Sequence, residues 1–258
     1  MPKALITGAG RRLGREMALY LAGRGHDVAI HCHGSQDEAH ETAALARARG
    51  VAAQVVVADL LDEDQTQGLV AQAAQALGGP LDVLVNSASI FEYDNIATAT
   101  RTTWDRHLGS NLRAPFMLTQ AFARQAPRAD RSGPEPRARS LIINMVDQRV
   151  LKPTPEFITY SLAKAALWSL TKTSAQALAP EIRVNAIGPG PTMQGTRQSD
   201  SHFARQRAAT ILERGADAGD ICAALGYFLD AVAVTGQLIC VDGGQHLGWK
   251  TPDVLGPE

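Results

Sequence analysis

Cysteine is scarce: Cys32, Cys222 and Cys240 are scattered over 258 residues, and their odd number and wide spacing fit neither a disulfide framework nor a metal site. Each reads as a small apolar filler, and no metal is expected. No hydrophobic run approaches the ~20 residues that a membrane span requires. Neither sign of charge is in excess, since 25 Lys and Arg against 26 Asp and Glu leave a formal net charge of −1. That removes the global electrostatic case for nucleic acid or an acidic membrane surface as partner. A first strand from Lys3 leaves no room for a signal peptide, so a reducing cytoplasm is the expected location. Internal repeats and breaks in composition are missing too. Residues 1–258 therefore read as a single domain, long enough to bury a substantial core.

What the chain does contain is alternation. Short aliphatic runs fall at 4–7, 28–31, 55–58, 81–86, 141–146, 182–187 and 238–241. Their continuous apolar character suits strands covered on both faces. Between them lie helical windows: one from the glycines at 8–14 to about 23, then 37–49, 62–77, 104–125 and 160–178. This order predicts an α/β fold, a Rossmann-type doubly wound parallel sheet with right-handed crossovers. Two stretches look irregular. Residues 127–139, rich in Pro, Gly and Arg, predict an exposed loop whose four arginines face solvent. Residues 189–201 follow the sixth strand at the carboxyl edge of the sheet, where ligands bind in such folds, and 189–207 is expected to act as a substrate lid.

The segment Thr7-Gly8-Ala9-Gly10-Arg11-Arg12-Leu13-Gly14 joins the first strand to the first helix. Glycines there allow a tight turn and let the amides of Arg11, Arg12 and Leu13 approach a pyrophosphate at the positive helix end. The spacing of Gly8, Gly10 and Gly14 is GxGxxxG rather than GxGxxG, but a strand before and a helix after supply the required context. No acidic residue ends the second strand, where one would bond a ribose 2′-hydroxyl and repel a 2′-phosphate. His31-Cys32-His33-Gly34-Ser35 stands there instead, with Arg12 nearby, so NADPH is favoured over NADH. Asp59, followed by Leu60, suits either an adenine contact or a helix N-cap. Asn86, Ala88 and Ser89, after the fourth strand, are expected to line the other side of the cofactor.

Tyr160-Ser161-Leu162-Ala163-Lys164 lies on a predicted helix, and Asp147 precedes the tyrosine by thirteen residues. Side chains four apart share a helix face. An ammonium beside the phenol is expected to lower its pKa from about 10 toward neutrality, making Tyr160 a proton donor or acceptor.

The ordered set of the glycine loop, Asn86-Ser87-Ala88-Ser89, Asp147, the YxxxK string, Pro189-Gly190 after the sixth strand and Val241-Asp242-Gly243-Gly244 resembles the short-chain dehydrogenase/reductase family over nearly the whole chain. The resemblance implies that Tyr160 is the general acid and that Lys164 depresses its pKa and binds ribose. Asn111 would hold a proton-relay water, and Pro189, Gly190 and Thr192 would contact the nicotinamide end. Dimers or tetramers through the helices of Asn111 and Tyr160 are implied as well. Two departures point to a branch: Asp147 replaces the family's usual serine, and Arg12 its usual second loop glycine. Both occur together in pteridine reductases and the bacterial dihydromonapterin/dihydrofolate reductases, which INMVD, NSASIF and LAPEIRVNAIGPG also resemble. In that branch Phe91 would stack on a pterin, Arg12 would touch cofactor phosphate and pterin, and Ser89 would bond either. Gly34 stands where some pteridine reductases place an arginine on the 2′-phosphate, which implies weaker NADPH affinity through His33 and Ser35 alone. Trp249 either closes the substrate pocket or packs at a subunit contact.

The leading expectation is thus an NADPH-dependent reductase of a pterin or dihydropterin, with Asp147 and Tyr160 handling the proton. A flat pterin stacked on an aromatic ring gains about 1 kcal/mol beyond area burial, and a carboxyl group can supply a proton to a ring nitrogen where a serine only donates a hydrogen bond. The alternatives are reduction of a small ketone, sugar or acyl carbonyl, and a cofactor-binding regulator without turnover. Intact Tyr160, Lys164 and Asn111 argue against the last.

Overall fold

The computed structural model describes residues 1–195 and 198–251. Its strands are β1 (Lys3–Ile6), β2 (Asp27–Cys32), β3 (Ala53–Val57), β4 (Val83–Asn86), β5 (Ser140–Met145), β6 (Ile182–Pro189) and β7 (Leu238–Val241). All pair in parallel, in the order β3-β2-β1-β4-β5-β6-β7. The helices are α1 (Arg12–Gly23), α2 (Gln36–Arg47), α3 (Glu63–Ala76), α4 (Arg101–Leu108), α5 (Ala114–Gln125), α6 (Ile158–Leu178), α7 (Asp200–Ala208) and α8 (Ala218–Asp230). The expected doubly wound parallel sheet is present.

Side chains alternate across each strand, so one sheet feeds two cores. Ala4 and Ile6 of β1 point to one side, where Met17 and Leu21 of α1, Ala39 and Ala43 of α2, and Phe228 of α8 cover them. Leu5 points to the other, with Leu69 of α3 and Leu118 and Phe122 of α5. The many alanines of α1 and α2 let those helices lie close to the sheet. Strand order reverses between β1 and β4, and the crevice outside their carboxyl ends is where a ligand fits in this architecture. Gly8 and Ala88 flank it.

Three elements differ from the sequence-based expectation. The window 104–125 is not one helix: a π-helical segment, Gly109–Arg113, separates α4 from α5 and carries Asn111. Propensity does not announce an extra residue in one turn, and such bulges gather at functional sites. The stretch 189–207 is irregular only at first, because Ser199 caps α7 through the amide of His202 and the chain turns helical from Asp200. Residues 196 and 197 of the expected lid lie outside the described residues. Finally, α8 packs behind β6, where its apolar face, including Ile221, Leu225 and Phe228, joins the core. In 127–139 an isolated bridge joins Asp130 to Arg137, and residues 130–137 are exposed.

Candidate active site

The glycine loop is held from below. Gly8 has φ +65, a conformation that strains any residue with a side chain, and a Cβ there would lie 2.9 Å from Ala88 Cα. A Cβ on Gly14 would meet the Gly8 carbonyl oxygen at 2.2 Å, so α1 can approach the loop only with glycine at this position. Gly10 abuts Ser35, whose Oγ would lie 2.8 Å from an added Cβ. Buried His31 spans the underside: the Gly8 amide donates to its Nδ1 (3.1 Å), so Nε2–H donates to the Ala58 carbonyl (3.1 Å). Burial lowers the His31 pKa to about 4 and keeps the ring neutral. Thr7 Oγ1 accepts the amides of Ser87 and Ala88 (2.9 and 3.0 Å), tying the β1 and β4 exits together.

At the start of α1, Arg11 occupies the cap position without a capping side-chain bond, and the first turn holds no acidic residue. The first-turn amides and the helix dipole therefore favour an anion. Together with a crevice in which a Cβ on Gly8 or Gly10 would collide, these residues fit the phosphates of a dinucleotide. Leu13 packs inward against the core. His33 is exposed at the end of β2, 3.9 Å from Asp59, and Ser35 opens α2. Asp59 Oδ1 accepts the Leu61 amide (2.9 Å), while Asp62 makes the N-cap of α3. Leu60 is partly buried against the second core. Gly190 N–H donates to the Val241 carbonyl (3.0 Å) after Pro189 closes β6, and Thr192 Oγ1 donates to the Gly190 carbonyl (3.1 Å). Asn86 donates to Asn144 Oδ1 (2.8 Å), leaving its own buried Oδ1 without a partner. Ser89 Oγ lies 3.4 Å from the Ile90 carbonyl.

The chemistry sits at the mouth of the crevice, where Tyr160 Oη donates to Asp147 Oδ2 at 2.9 Å. This brings together the two groups that the sequence singled out. The expectation that Lys164 acidifies the phenol is corrected, however. Burial and the facing Asp147 raise the Tyr160 pKa well above 10. Lys164 Nζ donates to the Met145 carbonyl (2.8 Å), 5.7 Å from the ring centroid, and burial lowers its pKa to about 8. Four residues on a helix bring two Cβ atoms to one face but do not fix where a four-carbon chain ends. Burial also raises the Asp147 pKa, opposed by the Arg149 amide bond and guanidinium. A phenol and a carboxyl group thus face each other with both pKa values raised.

Two further residues gain structural partners. Asn111 Oδ1 accepts the Ile90 amide (2.9 Å) and its Nδ2 donates to the Ile90 carbonyl (2.8 Å), pinning the loop that carries Phe91. Arg12 takes φ +55 and donates to the carbonyls of Gln194 (2.8 Å) and Met193 (3.0 Å). A glycine would enter that conformation freely; an arginine there costs about 1–3 kcal/mol, offset by the two bonds. Phe91 stacks on Phe157 (centroids 4.2 Å, planes 12° apart) and meets Tyr160 edge-on at 4.7 Å.

Sequence reasoning missed the support beneath this site. The Glu92 amide donates to His107 Nε2 (3.1 Å), so His107 Nδ1–H donates to Thr159 Oγ1 (2.6 Å). The threonine hydroxyl donates onward to Asp94, whose other oxygen accepts the Thr159 amide (3.2 Å). Asp94, His107 and Thr159 are all buried. This network locks the 87–97 loop to the first turn of α6, one residue from Tyr160. Its members lie 13 and 52 residues apart, and no local pattern connects them. Arg149 was missed as well; it reaches over Phe157 and Phe91. Among the described residues no group of three or more His, Cys, Asp or Glu is placed to hold a metal, and no helix is long and apolar enough to cross a membrane.

Comparison with known proteins places this geometry. The chain superimposes on the NADP-bound FolM alternative dihydrofolate reductase 1 of Brucella suis with a TM-score of 0.90, at 41% identity and 98% coverage of both chains. It is 31% identical to the 3-oxoacyl-[acyl-carrier-protein] reductase FabG of Staphylococcus aureus over 95% of this chain and 98% of that one. The NADP-bound angucycline C-6 ketoreductase LanV aligns with a TM-score of 0.87 at 27% identity, covering 96% of each chain. The family model for short chain dehydrogenases matches residues 2–205. With its glycine loop, its Tyr160–Lys164 pair and its parallel sheet in the expected order, this chain belongs to the short-chain dehydrogenase family.

Proposed function

We propose that this protein is an NADPH-dependent reductase of a pterin or dihydropterin. The observation that carries the reading is the Asp147–Tyr160 pair at 2.9 Å, a carboxyl group with a raised pKa where this family usually has a serine. The likeness to FolM dihydrofolate reductases supports it. Gly8–Gly14 and Pro189–Thr192 would hold NADPH, which would supply the hydride. His33, Ser35 and the absence of an acid at the end of β2 favour a 2′-phosphate. Asp147 delivers a proton to the ring nitrogen of the reduced C=N bond, Tyr160 orients that carboxyl through its hydrogen bond, and solvent returns the proton to Asp147. The substrate gains a hydride on carbon and a proton on nitrogen, so the electrons balance. Phe91, with Ile90 clamped by Asn111, forms the wall against which a flat ring packs. Ser89, in the same loop, bonds the pterin or the cofactor phosphates. Residues 189–207 act as the lid, latched to the glycine loop by Arg12.

Association into dimers or tetramers belongs to the same reading. An apolar cleft of about 400 Å3, lined by Leu108, Gly109, Leu112, Phe116 and Leu170, opens on the α4–α5 and α6 face. A reducing, cytoplasmic setting agrees with three free cysteines. The test is NADPH oxidation by the purified protein with dihydrobiopterin, dihydromonapterin and dihydrofolate; failure with all three overturns the reading. A second reading, reduction of a ketone or acyl carbonyl, draws on the FabG and LanV likenesses. Asp147→Ser separates them: it abolishes pterin reduction but preserves or raises carbonyl reduction.

A further inference from the structure

Arg149 is a cation at the active site that approaches no carboxylate within 4 Å among the described residues, whereas Arg24, Arg101, Arg106, Arg113, Arg131 and Arg214 each do. Its one side-chain hydrogen bond, from Nη1 to the Glu156 carbonyl, is long at 3.4 Å. Yet the side chain is not loose. Its guanidinium carbon lies 4.9 Å from the Phe157 centroid and 5.7 Å from that of Phe91, and its amide donates to Asp147 Oδ1 at 2.9 Å. Stacking uses the face of a guanidinium and leaves its in-plane N–H donors available, in the fork that matches a carboxylate.

The surroundings give this cation a direction. From Tyr160 a row of rings runs outward through Phe91 and Phe157 to Tyr93, with successive centroids 4.7, 4.2 and 5.3 Å apart. Asp147 and Tyr160 mark the reacting end, and Arg149 sits over the middle of the row. A planar head group at the proton donors would thus place an aromatic linker along these rings and an anionic end at the guanidinium.

Resting on the pterin reading above, we propose that Arg149 forms a carboxylate-binding subsite that selects pterins bearing an acidic tail over those with a neutral one. Desolvated charge-assisted hydrogen bonds of this kind change affinity by about tenfold or more. Calorimetric titration of folate and of biopterin into the NADP-saturated protein tests it. Arg149→Gln should raise the dissociation constant for folate, relative to that for biopterin, by about tenfold. Arg149→Lys, which keeps the charge but not the fork, should recover part of that ratio, and added salt should lower the wild-type ratio. Equal weakening of both ligands, or no change in either, overturns the subsite and leaves the pterin reading standing. A wild-type protein that binds neither ligand overturns both.

Discussion

Replacing Lys164 with methionine should change how the stability of the free protein depends on pH. The lysine is buried, and its pKa falls from the ordinary 10.5 to about 8 because burial disfavours the ammonium, against the pull of Asp147. Between those values the unfolded chain binds a proton that the folded chain does not, so this group makes stability rise with pH across the interval. At 1.36 kcal/mol per pKa unit, the gain from pH 7 to 10.5 is roughly 3 kcal/mol. The variant lacks it. Losing the bond to the Met145 carbonyl shifts its stability by an amount that does not vary with pH. Burial raises the thiols of Cys222 and Cys240 to about 11 and 12, which pulls stability down above pH 9 in wild type and variant alike. The difference between the two proteins isolates the lysine. Urea denaturation followed by circular dichroism should show wild type gaining roughly 3 kcal/mol on Lys164→Met between pH 7 and 10.5. A difference that stays flat refutes the claim that Lys164 is desolvated and without an ion pair.

Gly14→Ala would set a methyl 2.2 Å from the Gly8 carbonyl, and should cost about 1–3 kcal/mol and abolish NADPH binding, read by thermal shift and fluorescence titration. His31 contributes its full stability above pH 6.5 and loses it as pH falls toward 4. Wild type should therefore lose roughly 3 kcal/mol relative to His31→Gln over that range, and equal acid slopes would dismiss the neutral bridge under the glycine loop. Thr159→Val keeps the shape but strands buried Asp94 and His107, so unfolding by urea should show a loss of about 1–3 kcal/mol per stranded group, with a fall in kcat. A variant as stable and active as wild type would reduce that network to an ornament of the loop.

Some of this protein was legible from the order of its residues. Continuous aliphatic runs at β1, β4 and β5 announced strands buried on both faces, and the alternation with alanine-rich helices left one plausible sheet. Gly8, Gly10 and Gly14 marked the phosphate turn, because only glycine tolerates such contacts. Asp147 and Tyr160 named themselves by residue type and by their place between the fifth and sixth strands. These signals are local: they depend on side-chain shape and on spacing along one element.

Direction and partnership were decided by the tertiary structure. Whether Lys164 reaches the phenol or the Met145 carbonyl depends on the space between α6 and β5, and burial then sets the sign of each pKa shift. Asn111 clamps Ile90 because the π-helical turn aims it there. Asp94, His107 and Thr159 become one network only when α4 and α6 pack side by side. Arg149 meets Phe91, distant from it along the chain, only because both lie against Phe157 in space. The sequence by itself determined which groups are present and on which elements they ride. Packing alone decided which of them lose water and meet, since desolvation and hydrogen-bond geometry belong to the assembled chain.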